Sequence, residues 1–165
     1  MAQHSINPAT GRRIGAYRAH SRADLERALA RAHAAQPRWA GLGVAVRARH
    51  LRALGRELLR RRDALAALAT AEMGKPIAQA RAEAEKSAVL CDYYARHGAR
   101  LLADERPVGA PAGTHVTFEP LGTILAIMPW NFPIWQVVRA AVPTLIAGNT
   151  VLLKHASSVP GCAQA

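Results

Sequence analysis

A proline at each end of a five-residue turn constrains this chain more than any other feature. Pro129-Trp130-Asn131-Phe132-Pro133 follows an apolar run, Leu121 to Met128, broken only by Gly122 and Thr123. Such a run suits a strand buried on both faces. Two residues without an N–H donor cannot continue in mid-sheet, so the strand ends at Pro129. Ile134 to Ala147 then carries Ile134, Val137, Val138, Ala141 and Leu145 at helical spacing. Gly148-Asn149 stops that helix, and Thr150 to Leu153 is again β-branched or aliphatic. Strand, crossover helix and strand in so short a span imply a parallel βαβ unit. Ligands of such sheets bind beyond the carboxyl ends of the strands. The proline-bounded turn and Lys154 both fall at that edge, so they are expected side by side although more than twenty residues separate them.

The chain before this unit reads as a small hairpin and long helices. Asn7-Pro8 and Thr10-Gly11 are turn signals within residues 5–18. Ser21-Arg22-Ala23-Asp24 resembles a capping box, and Leu25, Ala28, Leu29 and Ala32 follow at helical spacing. Pro37 is expected to stop this helix, with Trp39, Gly41 and Gly43 in a connector. A second helix is expected from Val44 to Ala69, with Leu51, Leu54, Leu58, Leu65 and Leu68 on one stripe. Gly74 ends it, and Pro76 opens a third helix that runs to about Leu102. Ile77, Ala80, Ala84, Ala88, Cys91 and Ala95 form its apolar stripe, and Tyr93 and Tyr94 read as packing residues. Residues 103–115 are a connector rich in Pro, Gly and Ala, and His115 to Glu119 alternates like an exposed strand.

Charge bears on partners. The formal net charge is +11, and 20 of the 22 Lys and Arg residues precede residue 107. The arginines are spread through helices without an aromatic stacking set, so solvated helix faces explain them better than a nucleic-acid surface does. The run Arg60-Arg61-Arg62 is read in the same way. No apolar run reaches the roughly 20 residues of a bilayer span, and the N-terminus lacks the apolar core of a secretory signal. Two cysteines do not make a disulfide framework. A cytoplasmic protein is expected, with no membrane or nucleic-acid partner. No His/Cys spacing fits a metal.

Several of these words resemble the NAD(P)-dependent aldehyde dehydrogenase superfamily, most closely its succinate-semialdehyde dehydrogenase branch. The likeness rests on EPLGTILAIMPWNFP followed by AGNTVLLKHASS, with SINPATG near the start and EMGKP in the middle. It spans essentially all 165 residues but only the front part of a family member. It implies an α/β fold: N-terminal helices and a small β-hairpin leading into a parallel βαβ unit of an incomplete Rossmann-like cofactor domain. Residues 1–165 would be a partial N-terminal cofactor-binding domain that stops before the catalytic segment. The resemblance also implies subunit contacts near residues 115–119, a homo-oligomer in the full-length form, and a structural rather than catalytic Lys75.

From the residues alone, Asn131 has two readings. Its amide could stabilise charge developing on a carbonyl oxygen, or it could satisfy turn backbone as Asn often does, which physics alone favours. The resemblance reverses that order, because the family's oxyanion donor is the Asn of this turn. It places the backbone of Trp130 against the cofactor and assigns Lys154, with His155, Ala156 and Ser157, to the adenosine ribose. Many NAD-preferring members carry Glu where this chain has Ser157. A neutral Ser adds no repulsion toward a 2′-phosphate, so NADP is expected to be preferred to NAD. The family nucleophile is a Cys thiolate that forms a thiohemiacetal, and a Glu-activated water later releases the acid. Both residues belong to segments beyond this chain. Cys162 does not match the nucleophile's surroundings, although a helix N-terminus could lower a thiol pKa there. The isolated chain is expected to lack dehydrogenase activity and to expose apolar surface around Val137, Val138 and Val151. The alternative is a truncated, non-catalytic fragment that associates with subunits or has no function.

Overall fold

A computed structural model describes residues 2–165. Strands β1 (Ala2–Ile6) and β2 (Arg13–Arg18) form an antiparallel hairpin with an irregularity between Ser5 and Ile6. Asn7 shapes its turn, where the side-chain oxygen accepts from the amides of Ala9 at 2.9 Å and Thr10 at 3.2 Å. Helix α1 (Arg22–Gly41) starts at the expected capping box. Ser21 Oγ accepts from the Asp24 amide at 3.2 Å, and Asp24 accepts from the Ser21 amide at 2.8 Å.

Pro37 does not stop α1, which continues to Gly41. Tertiary bonds on both sides of the proline override the local preference. Gln36 Nε2 donates to the Gly148 carbonyl at 3.1 Å, and Trp39 Nε1 donates to the Leu145 carbonyl at 2.8 Å. Trp39 is therefore an anchor within the helix rather than part of a connector. The expected second helix is two: α2 (Val44–Arg60) and α3 (Arg62–Met73), joined at Arg61 with φ −95° and ψ 6°. No sequence breaker marks this bend. It lets α3 lay Ala66 and Ala69 against Ala80 while Leu51, Leu58 and Leu65 remain in the main core.

Gly74 ends α3 in the left-handed region at φ 73°, where a residue with a Cβ is disfavoured. Helix α4 (Ile77–Leu101) follows Pro76 and buries Ala80, Ala84, Ala88, Cys91 and Ala95, whereas Ile77 is exposed. The small residues on this stripe let neighbouring helices come close. A Cβ on Gly98 would meet Ile146 Cγ1 of the crossover helix at 2.5 Å.

Strands β3 (Thr123–Ile127) and β4 (Thr150–Lys154) pair in parallel, from Thr123 beside Thr150 to Ile127 beside Lys154. Helix α5 (Trp135–Ile146) crosses between them and sinks Val138, Val142 and Ile146 into the core with Ile134. Helix α1 covers β4 and takes the Thr150 hydroxyl on the Ala32 carbonyl at 3.0 Å. The short helix α6 (Pro160–Gln164) closes the described chain. β3 is not buried on both faces: Leu125 is 57% exposed and Ile127 66%. A two-stranded sheet cannot cover both of its own faces. The open apolar surface lies there rather than around Val137, Val138 and Val151, of which Val138 is buried and the others half-buried. The expected strand at 115–119 reduces to a single bridge between Glu105 and Val116. No helix among the described residues is long and apolar enough to cross a membrane.

Candidate functional site

The carboxyl ends of β3 and β4 bring the two predicted segments together. The ladder extends one step beyond β3, where the Met128 amide donates to the Lys154 carbonyl at 3.0 Å. The chain then turns through Pro129–Pro133 directly beside the 154–157 loop. His155 fastens the two. Its Nδ1 accepts from the Ala156 amide at 2.7 Å, which leaves Nε2 as the protonated nitrogen that donates to the Pro133 carbonyl at 2.7 Å. Both ring nitrogens are thus engaged, and His155 holds the site together. The Ser157 carbonyl accepts from the side chain of Gln3, so the N-terminal hairpin braces the same loop.

Around this brace, four predicted side chains stay open. Trp130 is 53% exposed, and Asn131, Lys154 and Ser157 are exposed; Ala156 is half-buried. Among the described residues no hydrogen bond engages the Asn131 carboxamide, and no carboxylate pairs with Lys154. Asn131 therefore does not satisfy its own turn.

Two buried carboxylates, missed in the sequence, complete the edge. Glu83 Oε1 accepts from the amides of Ile134 and Trp135, each at 2.8 Å, at the start of α5. Its other oxygen pairs with Lys75, whose Nζ also donates to the Asn131 carbonyl at 3.2 Å and lies 3.7 Å from the Phe132 ring centroid. Glu72 likewise accepts from the amides of Gly161 and Cys162 at the start of α6, each at 2.8 Å. A helix N-terminus ordinarily attracts anions. Here protein carboxylates already occupy both, so neither is free to take a phosphate. This accords with the absence of a GxGxxG turn. The sequence signal was a Glu on the buried stripe of each helix: Glu83 next to Ala80, Ala84 and Ser87, and Glu72 three residues after Ala69.

The cysteines are not poised for chemistry. Burial pushes the Cys91 thiol up to about 11. Burial first, and then Glu72, push the Cys162 thiol well above the usual range, so the helix N-terminus does not activate it. The described residues contain no cluster of metal-ligating side chains. Arg60 pairs with Glu57, and Arg62 with Asp63 and Glu85, so much of the arginine run is neutralised at a solvated surface.

The model of the aldehyde dehydrogenase family matches residues 1–165. The chain is 50% identical over 160 residues to the NAD(P)+ succinate semialdehyde dehydrogenase Sad of Escherichia coli (strain K12), covering 97% of this chain and 35% of that protein. It is 47% identical over 165 residues to a probable NADP(+) succinate-semialdehyde dehydrogenase of Synechocystis, covering 100% of this chain and 36% of that one. Among solved structures it resembles the succinic semialdehyde dehydrogenase of Streptococcus pyogenes in complex with NADP+, with a TM-score of 0.92, 33% identity, and coverage of 99% and 36%. The chain spans about a third of the length of these relatives.

Proposed function

The chain belongs to the aldehyde dehydrogenase family, and from that premise we propose that it supplies the oxyanion donor and part of the cofactor site of an NADP-preferring dehydrogenase that oxidises succinic semialdehyde. The observation that carries this reading is the unengaged Asn131 carboxamide on a turn fastened at two of its carbonyls. Lys75 holds the Asn131 carbonyl and His155 holds the Pro133 carbonyl, while the Asn131 side chain makes no bond to its own turn. A preorganised amide N–H aimed at a carbonyl oxygen stabilises the charge that develops there when a nucleophile attacks.

Trp130 stands 53% exposed just past the strand end, and the unpaired Lys154 ammonium offers donors to ribose hydroxyls or a phosphate. Ser157 leaves the neighbouring position neutral, which suits a 2′-phosphate. These residues fit a nicotinamide dinucleotide; when bound, that cofactor supplies the two-electron acceptor for the aldehyde carbon. The working enzyme is read as cytoplasmic and homo-oligomeric, with exposed Phe118 and Leu121 suited to a subunit contact.

The test is thermal stabilisation of the chain by NADP and by NAD, repeated on Ser157→Glu. A ligand at 100 times its Kd stabilises by about 2.7 kcal/mol. NADP is expected to raise the unfolding midpoint at lower concentration than NAD in the parent chain. Ser157→Glu should reverse the order by at least about tenfold, through repulsion of the 2′-phosphate. Equal stabilisation by NADP, NAD and inorganic phosphate would instead show nonspecific anion binding to the arginine-rich surface.

A further inference from the structure

We propose that Lys75 and Glu83 are positioning residues that set the direction of the Asn131 carboxamide, a role that rests on the reading of Asn131 given above. The two side chains are 5% and 1% exposed. They sit in the turn after α3 and on the buried stripe of α4, remote in sequence from Asn131. Between them they bond three main-chain groups within five residues. Glu83 takes the Ile134 and Trp135 amides at 2.8 Å, and Lys75 reaches the Asn131 carbonyl at 3.2 Å. The Lys75 ammonium also lies 3.7 Å from the Phe132 ring centroid, so the ring beside Asn131 is held by the same charge.

A buried ion pair is a poor device for stability alone, because an apolar pair of similar volume often serves as well. What an apolar pair cannot do is bond a carbonyl and two amides of one turn. His155 fixes a second carbonyl, that of Pro133, at 2.7 Å. The main chain from the Asn131 carbonyl to the Trp135 amide is thereby pinned while the carboxamide itself stays free. An oxyanion donor needs that combination, since its worth depends on pointing correctly before the charge appears.

The test uses the full chain labelled with ¹⁵N and ¹³C, in four forms: parent, Lys75→Met, Lys75→Arg, and the neutral double variant Lys75→Met/Glu83→Gln. In the double variant the side-chain amide introduced by Glu83→Gln keeps an oxygen for the Ile134 and Trp135 amides and leaves no charge unpaired. The readouts are the Asn131 carbonyl ¹³C signal, the Phe132 amide ¹⁵N signal, and the Asn131 carboxamide pair. Loss of the Lys75 bond is expected to shift the first two and to broaden or split the third, in Lys75→Met and in the double variant alike. Lys75→Arg is expected to restore a single sharp carboxamide pair. Signals from the first turn of α1, residues 22–27, should not move. Should Lys75→Met fail to fold, the double variant decides. The proposal is overturned if the Asn131 signals of a folded variant superpose on the parent, or if all three variants unfold. An NADP titration of the parent separates the two readings. Asn131 signals that depend on Lys75 without any response to NADP would retain the positioning role and reject the cofactor site. The reverse pattern would reject the positioning role alone.

Discussion

Gly98→Ala is expected to destabilise the chain, and to stabilise it once Ile146 is cut back. The perturbation is one methyl group at the crossing of α4 and α5. A Cβ at Gly98 lies 2.5 Å from Ile146 Cγ1 and 3.2 Å from its Cδ1. Relaxed carbon contacts lie at about 3.5–4.0 Å, so the helices must part by about 1 Å or Ile146 must leave its rotamer. Ile146 has little freedom to do so. It is 3% exposed, its β-branched χ1 is stiff, and its carbonyl is held by Arg47 Nε at 3.0 Å. Overpacking of this kind costs about 1–3 kcal/mol. Replacing Gly by Ala within a helix returns about 0.8–1 kcal/mol of propensity. The net expectation is a loss of up to about 2 kcal/mol. Ile146→Ala alone should cost about 2–5 kcal/mol. In that background the clashing carbons are gone, so Gly98→Ala should gain up to about 1 kcal/mol. Urea unfolding of the four chains measures the cycle. A Gly98→Ala effect of equal sign and size in both backgrounds would refute the close-approach argument, and with it the account of how α5 is set against α4.

Three further outcomes are expected. Asn131→Ala should leave urea stability within about 0.5 kcal/mol, because an exposed and unbonded side chain carries little of the fold. Under the proposed role of Asn131, the same change in a full-length dehydrogenase containing this sequence should lower kcat by about 10²–10³-fold. Neither cysteine should react readily with a thiol reagent at neutral pH in the folded chain, since both thiols are pushed upward, and reaction should become rapid in denaturant. Asp24 is held well below its ordinary carboxylate range, mainly by accepting from the Ser21 amide and hydroxyl, with Arg18 contributing. A carboxylate depressed on folding contributes stability that is fully present above its unfolded pKa of about 3.9 and is lost as pH falls through the lower folded value. The folded-state Ser21 and Asp24 amide signals should therefore stay in place well below pH 4, where a free carboxylate already titrates, while the stability contributed by Asp24 begins to fall near pH 4, and Asp24→Asn should remove that acid response.

What was legible in the sequence was what local chemistry decides. The proline-bounded turn, the Gly148 stop and the β-branched run after it are enough to define the βαβ unit, and with it the meeting of that turn with the loop that starts at Lys154. Ser21-x-x-Asp24 and Gly74 mark helix ends by chemistry that needs no distant partner. The errors share one physical cause, which is contact over long range. Pro37 lies inside α1 because Gln36 and Trp39 are anchored to the end of α5. The bend at Arg61 has no local signature and serves the packing of α3 on α4. Strand β3 has an open face because burial depends on neighbours, not on its own apolar run. In the candidate site, Asn131, Trp130 and the 154–157 loop could be named from their words. Lys75 and Glu83 could not be linked to Asn131 without the fold, because a charged residue on a helix is usually solvated. A carboxylate on an otherwise apolar stripe was the one available sign.

The central claim is that the turn at Trp130-Asn131 and the loop from Lys154 to Ser157 form one dinucleotide site. The most direct measurement is an NADP titration of the ¹⁵N-labelled chain, read residue by residue. The account predicts saturable shifts confined to Trp130, Asn131 and Lys154–Ser157, with NAD requiring higher concentrations than NADP. Shifts spread over the arginine-bearing faces of α2 and α4, with those residues silent, would contradict it.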